Sequence, residues 1–157
     1  MTDTILNILS GRIVVSSGKR KTAVAIATIR SGKGRVWVNR IPIEVYPVEV
    51  ARLKVLEPIL IAGDSIRNLV DINIKVRGGG FMSQAEAARI SIARGLIEFF
   101  KCEEEDEACK RLNEISIKLK KLFEEYDRFM LSGDPRRTEP EKPMMYSARR
   151  RRQRSYR

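Results

Sequence analysis

The sequence predicts an α+β fold in which helices cover one face of a single sheet. Alternating polar and apolar residues, typical of half-buried strands, occur in 13–39 and again in 70–77. Apolar residues at the spacing of an amphipathic helix occur in 47–60, 83–100 and 103–131. The chain has 157 residues, of which 43% are apolar, and this is enough for one packed domain.

The first strands are expected before residue 40. Residues 13–16 predict a short strand, 17–21 a turn, and 22–30 a longer strand with one buried face. The loop at 31–34 has two glycines, as hairpin loops often do. We therefore expect residues 35–39 to pair back on 22–30.

The first helix is predicted to open at Pro47, because a proline in the first helical turn loses no hydrogen bond. Pro58 lies inside the same apolar stripe, so a kink or an end is expected there. Residues 70–77 alternate cleanly and give the clearest strand.

Two further helices follow the glycines at 78–80. Ser83 and Glu86 have the spacing of a capping box, which predicts a helix beginning at Ser83 and running to about Phe100. A long helical region is expected over 103–131, with a break near Asn113.

The C-terminal segment has a different composition from the rest of the chain. Residues 132–157 contain three prolines, no hydrophobic periodicity and six arginines in the last nine positions. Such a segment buries too little apolar surface to offset the entropy of folding. We therefore expect a globular domain over 1–131 and an extended basic tail over 132–157.

The charge is strongly positive and unevenly distributed. The formal net charge is +11, and the isoelectric point is about 10.1. Residues 12–40 hold eight basic residues and no acid, and 132–157 hold nine basic and three acidic residues. Two separate basic segments indicate a polyanionic partner, and a nucleic acid fits best.

Several classes of protein are excluded by composition. The chain has no histidine, so imidazole catalysis, a Ser-His-Asp triad and histidine-containing metal sites are ruled out. Charged residues interrupt the most apolar stretch, 45–62, so no segment reaches the roughly 20 apolar residues of a membrane span. Residues 1–10 lack the basic start of a secretory signal.

The two cysteines, Cys102 and Cys109, are expected to be free thiols in a reducing compartment. On one helix, residues seven apart lie roughly 10 Å from each other. A disulfide needs Cα atoms within about 7 Å. Two cysteines are also too few for a zinc or iron–sulfur site, so no metal is expected.

Two basic motifs are candidate phosphate contacts. Three glycines at 78–80 next to Arg77 permit close approach of backbone N–H groups to a phosphate, or alternatively a tight turn with positive φ. Lys19, Arg20 and Lys21 are expected to form one basic surface with a second group of cations. That second group is Arg30, Lys33 and Arg35. Trp37 fits a core position or a stacking role.

No catalytic set emerges. Asp71, Glu86 and Glu98 are isolated acids without a paired carboxylate or a nucleophile at a useful spacing. No Gly-Lys-Ser/Thr follows the glycines, so a Walker nucleotide loop is not supported.

The segment from Gly78 to Leu96 resembles the signature of the ninth protein of the small ribosomal subunit. Gly18-Lys19-Arg20-Lys21-Thr22-Ala23 is similar to that family's opening motif. Further motifs resemble the archaeal and eukaryotic branch of the family. They are Tyr126-Asp127-Arg128, Asp134-Pro135-Arg136-Arg137, Glu139-Pro140-Glu141-Lys142 and Gln153-Arg154-Ser155-Tyr156-Arg157.

The resemblance implies a structural protein of the small subunit, cytoplasmic on the ribosome, without enzymatic activity, cofactor or membrane contact. The implied fold is that of the second domain of the fifth small-subunit protein, with a left-handed βαβ crossover. The implied partners are ribosomal RNA in the subunit head, neighbouring head proteins, and the transfer RNA in the peptidyl site.

The expected binding residues divide into two sets. The ribosomal RNA set is Lys19, Arg20, Lys21, Arg30, Lys33, Arg35, Arg77, Gly78, Gly79, Gly80, Gln84, Arg136, Arg137, Arg149, Arg150, Arg151 and Arg152. The set expected on transfer RNA at the end of the tail is Arg154, Ser155, Tyr156 and Arg157.

Two other classes stay open. Some small-molecule phosphotransferases share this fold and have a glycine-rich phosphate loop. An architectural DNA-binding protein is permitted by the charge alone.

Overall fold

The computed structural model describes residues 9, 11–102, 107–153 and 155. Five strands form one sheet in the order β1-β2-β5-β3-β4. The strands are β1 Ile13–Arg20, β2 Ala23–Ser31, β3 Val36–Val38, β4 Ile41–Pro42 and β5 Val70–Arg77. The helices are α1 Glu49–Ala62, α2 Asp64–Arg67, α3 Phe81–Phe100, α4 Glu107–Tyr126 and α5 Phe129–Ser132. The predicted α+β class is confirmed.

The sheet is not assembled in the predicted order. β1 and β2 form an antiparallel hairpin, and β2 then pairs antiparallel with β5. β3 pairs parallel with β5, so β5 lies between β2 and β3. The prediction that residues 35–39 pair back on 22–30 is therefore wrong.

Asp71 gives the physical reason for this arrangement. Its Oδ1 accepts the backbone N–H groups of Lys33 at 2.9 Å and Arg35 at 3.0 Å. Gly32 and Gly34 donate backbone hydrogen bonds to Leu69 and Val70. The 31–34 loop is thus held on the start of β5 and carries the chain past that strand.

The two faces of the sheet differ sharply. On β2, Ala23, Ala25, Ala27 and Ile29 are fully buried, and α3 packs across them and across β1. α1 and α4 pack on α3. On the opposite face, which we call the open face, Val24 and Ile26 are 40% and 45% exposed. The helices therefore cover one face, as predicted.

Small residues allow α3 to lie close to the sheet. A Cβ added to Gly18 would overlap the backbone carbonyl of Ala87, and one added to Gly95 would lie 2.7 Å from Cδ1 of Ile29. Such a distance is well inside van der Waals contact, so both positions exclude larger side chains.

The first two predicted helix boundaries need correction. α1 continues through Pro58 to Ala62 and ends at Gly63, whose φ is 89°. Pro58 is buried with the helix face that packs on the core, and this packing offsets the hydrogen bond that proline removes. α3 begins at Phe81 rather than Ser83, and no side-chain cap forms.

The break in the third helical region also lies elsewhere. α4 ends at Tyr126, and α5 begins at Phe129, so the break is at 127–128 rather than near Asn113. Asp127 causes it, because its Oδ1 accepts the backbone N–H of Phe129 at 2.8 Å. Asn113 remains inside α4.

The cysteines form a disulfide, so the prediction of free thiols is wrong. α3 ends at Phe100, which places Cys102 in the connection and Cys109 in α4 rather than on one helix. Their Cα atoms lie 5.4 Å apart, within the range of a disulfide. Asn113 holds Cys102 in place, since its side chain exchanges hydrogen bonds of 2.8 and 3.0 Å with the backbone of Cys102.

Candidate nucleic-acid interface

The predicted basic residues of 19–35 lie at two ends of the sheet. Lys19 is near the end of β1, and Lys21 is in the turn after it, whereas Lys33 and Arg35 follow β2 at the opposite end. Six residues of a strand span about 20 Å. These residues therefore form two basic regions at opposite ends of the sheet rather than the single surface that the sequence predicts.

Cations of the open face link the two regions. Lys19 and Arg77 both pair with Val24 in the strand register and flank it on the open face. Arg30 and Lys75 are exposed on the same face. The open face thus combines exposed branched apolar residues with unburied positive charge.

Arg20 is turned inward, unlike its neighbours. Its Nη2 lies 3.0 Å from Oδ2 of Asp134, and its Nε also binds Glu86. Arg20 also donates a hydrogen bond of 3.1 Å to the carbonyl of Arg136. This predicted RNA-binding residue instead holds the start of the C-terminal segment on the globular part.

Asp134 is the centre of that anchor. Arg136 binds it with Nη2 at 2.6 Å and also donates its backbone N–H at 2.9 Å. These hydrogen bonds from the Arg136 side chain and backbone, followed by the Arg136 and Arg20 charges, lower the pKa of Asp134 to about 2. Both Arg136 and Arg137 are exposed. The guanidinium of Arg136 is bound to Asp134, whereas no carboxylate among the described residues pairs with Arg137.

The triple glycine forms a tight turn beside the β1–β2 hairpin. Gly78 and Gly79 have φ angles of 75° and 65°, and an added Cβ would meet Thr22 and Ala23 at 3.0 Å or less. Gln84 donates from Nε2 to the Gly78 carbonyl at 3.1 Å. The turn interpretation thus accounts for both glycines and for Gln84, while a phosphate contact there stays a prediction.

At the other end of the sheet, Arg35 joins Asp71 to Trp37. Its Nη2 lies 2.7 Å from Asp71 Oδ2, and its guanidinium carbon lies 5.1 Å from the Trp37 ring centroid. Burial raises the pKa of Asp71, but hydrogen bonds from Arg35 and Lys33 outweigh it, so the pKa is lowered overall. Trp37 is half-buried on the open face, with one ring face covered by the arginine.

The C-terminal segment makes a few contacts with itself. Arg149 pairs with Glu139 at 2.6 Å, and Arg152 lies over the Tyr146 ring at 5.5 Å. Arg150 and Arg151 are exposed. Of the residues expected on transfer RNA, Ser155 is exposed, and Arg154, Tyr156 and Arg157 lie outside the described residues.

Two arginines of α3 have structural roles that were not predicted from the sequence. Arg89 is buried and binds Glu57 at 2.6 Å and also Asp127. Arg94 donates from Nε to the Leu131 carbonyl at 2.8 Å. Both lie in a run of small and apolar residues, and a lone charge in such a run is the signal that identifies them.

The described part of the chain contains no group of three or more cysteines and carboxylates that could hold a metal ion. Within the same ranges, each helix is too short or too polar to cross a membrane.

Comparison with known proteins places the chain among the ribosomal proteins, which are structural and not enzymes. A family model described as "Ribosomal protein S9/S16" matches residues 18–157, and the chain belongs to this family. The phosphotransferase alternative is thereby removed.

Three archaeal relatives match along most of their length, and each bears the name "Small ribosomal subunit protein uS9". The Aeropyrum pernix protein is 62% identical over 93% of this chain and 97% of its own. The Desulfurococcus amylolyticus protein is 56% identical, covering 93% and 94%. The Saccharolobus solfataricus protein is 50% identical, covering 93% and 96%. The archaeal and eukaryotic branch predicted from the sequence is confirmed, and the relatives are of the archaeal type.

Proposed function

We propose that this chain is a structural constituent of the small ribosomal subunit that binds ribosomal RNA in the subunit head. The observation that carries the proposal is a group of exposed cations without carboxylate partners among the described residues, at the point where the tail begins. Lys19, Lys21 and Arg137 form this group, beside Arg94. Because phosphates neutralise such charges and release counterions, an RNA backbone is the fitting partner.

The working context follows from the family. A ribosomal protein works in the cytoplasm as part of the ribosome, with ribosomal RNA and other subunit proteins as partners. We assign the open face of the sheet, with Arg30, Lys75 and Arg77, and the exposed arginines at 149–152 to the RNA contacts. Arg35 and Trp37 extend this surface.

The tail carries the second part of the proposal. We propose that residues 132–157 act as the tail, with its first residues held on the globular domain by the Arg20–Asp134 anchor. Twenty residues from 138 to 157 span at most about 70 Å when extended. We propose that the tail orders on RNA and that Arg154, Ser155, Tyr156 and Arg157 contact the peptidyl-site transfer RNA.

The crossover between the parallel strands β3 and β5 contains α1 and α2. We propose that this crossover is left-handed, as in the second domain of the fifth small-subunit protein, although right-handed crossovers prevail in general.

The first experiment is sedimentation of a lysate through a sucrose gradient at high salt. Loose phosphate contacts weaken steeply as salt rises, so a protein held only by charge is released. We expect this chain to remain in the small-subunit peak. Release to the top of the gradient would overturn the proposal and reopen DNA binding.

A truncated chain tests the tail separately. Deletion of residues 154–157 is expected to leave incorporation into small subunits intact, because the globular domain keeps its own contacts. Retention of transfer RNA in the peptidyl site should fall, as measured by filter binding to purified subunits. A truncated chain that fails to enter subunits, or retains transfer RNA at the full-length level, contradicts the tail assignment.

A further inference from the structure

A basic cavity lies where the C-terminal segment leaves the globular domain. Its volume is about 250 Å³. Three parts of the chain line it: the β1–β2 hairpin with Lys19 and Lys21, helix α3 with Arg94, and the segment 132–137. We call this cavity the basic pocket. Residues as far apart in the sequence as Lys19 and Arg137 line it, so the pocket exists only in the folded chain.

The charge of the basic pocket is uncompensated. Four cations line it, Lys19, Lys21, Arg94 and Arg137, against one acid, Asp134. Asp134 is already bound by two arginines, Arg20 and Arg136, neither of which lines the pocket. Within the described ranges, none of the four cations forms an ion pair with a carboxylate.

The pocket is also organised in advance of any ligand. Arg94 donates to the carbonyls of Leu131 at 2.8 Å, Ser17 at 3.1 Å and Ser132 at 3.2 Å. These three bonds fix the guanidinium and leave two of its five N–H groups unused. Lys21 is held at a φ of 52° in the hairpin turn, a conformation that persists only where the surrounding structure imposes it.

The size and lining of the pocket indicate a small anion. Pockets for drug-sized ligands occupy about 300–1,000 Å³, and this one is smaller. None of the described residues that line it is aromatic, so these residues offer no stacking surface for a base. Fixed guanidinium N–H groups and mobile ammonium groups together match the oxygens of a phosphate.

We propose that the basic pocket binds a single backbone phosphate of ribosomal RNA and thereby fixes the tail's point of departure relative to the RNA. The inference rests on the proposed function. It adds Arg94 to the binding residues and makes the contact a defined site rather than diffuse attraction.

Phosphate ethylation interference tests the site with the full chain and small-subunit ribosomal RNA. The pocket variant is Lys19→Gln with Arg137→Gln, since both side chains are exposed. The control variant is Lys118→Gln with Lys121→Gln, which removes the same charge from exposed positions on α4. Arg94 is left intact because it also holds three backbone carbonyls.

Among the phosphates whose ethylation weakens binding, wild type and control should share one to which the pocket variant is insensitive, while the remaining interference sites should be the same in all three proteins. The pocket variant should bind about tenfold more weakly than the control, as expected for loss of charge-assisted hydrogen bonds. Its slope of log affinity against log salt should be shallower by about 0.7–0.9, the value of one neutralised phosphate.

Identical interference patterns in the pocket and control variants would overturn the pocket while leaving RNA binding intact. A wild-type chain that prefers duplex DNA to small-subunit RNA at matched salt would instead overturn the proposed function. A third outcome is tested with inorganic phosphate in the absence of RNA. If it stabilises wild type against heat more than the pocket variant, while no RNA phosphate loses its interference in that variant, the site takes a free anion and the RNA assignment fails.

Discussion

Two regions of this protein hold positive charges, and they differ in whether carboxylates neutralise those charges. Between α1, α3 and the end of α4, Arg89 binds Glu57 and Asp127 with only 7% of its side chain exposed. Lys54 adds a 2.9 Å contact to Glu57. In the basic pocket, four cations meet one carboxylate that other arginines already occupy.

The half-buried cluster of Glu57, Arg89, Asp127 and Lys54 has two carboxylates and two cations, so its charge is balanced within the chain. Burial raises the pKa of Asp127, but hydrogen bonds from the Phe129 N–H and Arg89 lower it by more. The pKa is therefore below its ordinary value, and the carboxylate stays charged. Tyr126 donates to Glu57 at 2.9 Å, and this hydrogen bond raises the pKa of the phenol. Charges of this kind support the fold and are unavailable to a ligand.

This contrast shows that net charge does not identify binding residues. Arg20 and Lys19 are neighbours in one basic run, yet Arg20 is paired with Glu86 and Asp134, while Lys19 lies on the open face and lines the pocket without a carboxylate partner among the described residues. Because strand residues alternate between faces, adjacent basic residues acquire different roles. We therefore expect substitutions to separate into those that affect stability and those that affect binding.

Arg89→Met should have the largest effect on stability. Removing Arg89 leaves the half-buried carboxylates of Glu57 and Asp127 without their main partner. Such a loss costs about 3–5 kcal/mol for a fully buried pair, and the partial exposure here reduces it to about 2–4 kcal/mol. Urea unfolding followed by circular dichroism measures the change. Arg30→Met, at an exposed position of the open face, is the control. A loss no larger than that of the control would show that the cluster is not needed for the fold.

Asp71→Asn should have a smaller effect, about 1–3 kcal/mol at pH 7, since charge-assisted bonds to Lys33 and Arg35 are lost. The pKa of Asp71 is lowered in the folded state. Its contribution is therefore full above the ordinary carboxyl pKa of about 4 and is lost as the pH falls further.

Unfolding free energies measured between pH 7 and pH 2 test this dependence. Wild type should lose stability on acidification, and Asp71→Asn should lose less over the same range. Glu141→Gln, which removes an exposed carboxylate, should follow wild type. Parallel curves for wild type and Asp71→Asn would exclude Asp71 as a source of acid sensitivity.

The smallest effect on stability is expected for Lys19→Gln with Arg137→Gln. Neither residue has an ion pair in the described part of the chain, so the unfolding free energy should change by no more than about 0.5 kcal/mol. Lys118→Gln with Lys121→Gln provides the same charge change for comparison. A loss above about 1 kcal/mol relative to this control would mean that the pocket cations support the fold.

Much of the architecture was predictable because its signals are local. Alternation along 70–77 identified β5, and helical spacing identified α1, α3 and α4 apart from their ends. The pairing of β3 was not predictable, because the two-glycine loop satisfies a hairpin equally well. Asp71 determines the pairing from 36 to 38 residues away.

The predictions of free thiols and of a helix end at Pro58 were wrong for a related reason. Seven-residue spacing excludes a disulfide only if one helix spans both cysteines, and Cys102 instead lies beyond the end of α3, where Asn113 holds its backbone. Proline disfavours a helix interior locally, yet the burial of Pro58 and Ile59 keeps α1 continuous. In each case a contact distant in sequence outweighed a local preference.

The fold class, the resemblance to the ribosomal family, the face-by-face alternation of β2 and β5, and the two basic segments could all be predicted from the sequence. They follow from periodicity, composition and motifs, which are local properties of the chain. Which cations are paired and which line the basic pocket depends on the tertiary structure. Pairing depends on distances of a few ångströms between elements such as β1, α3 and the 132–137 segment, and no local pattern encodes those distances.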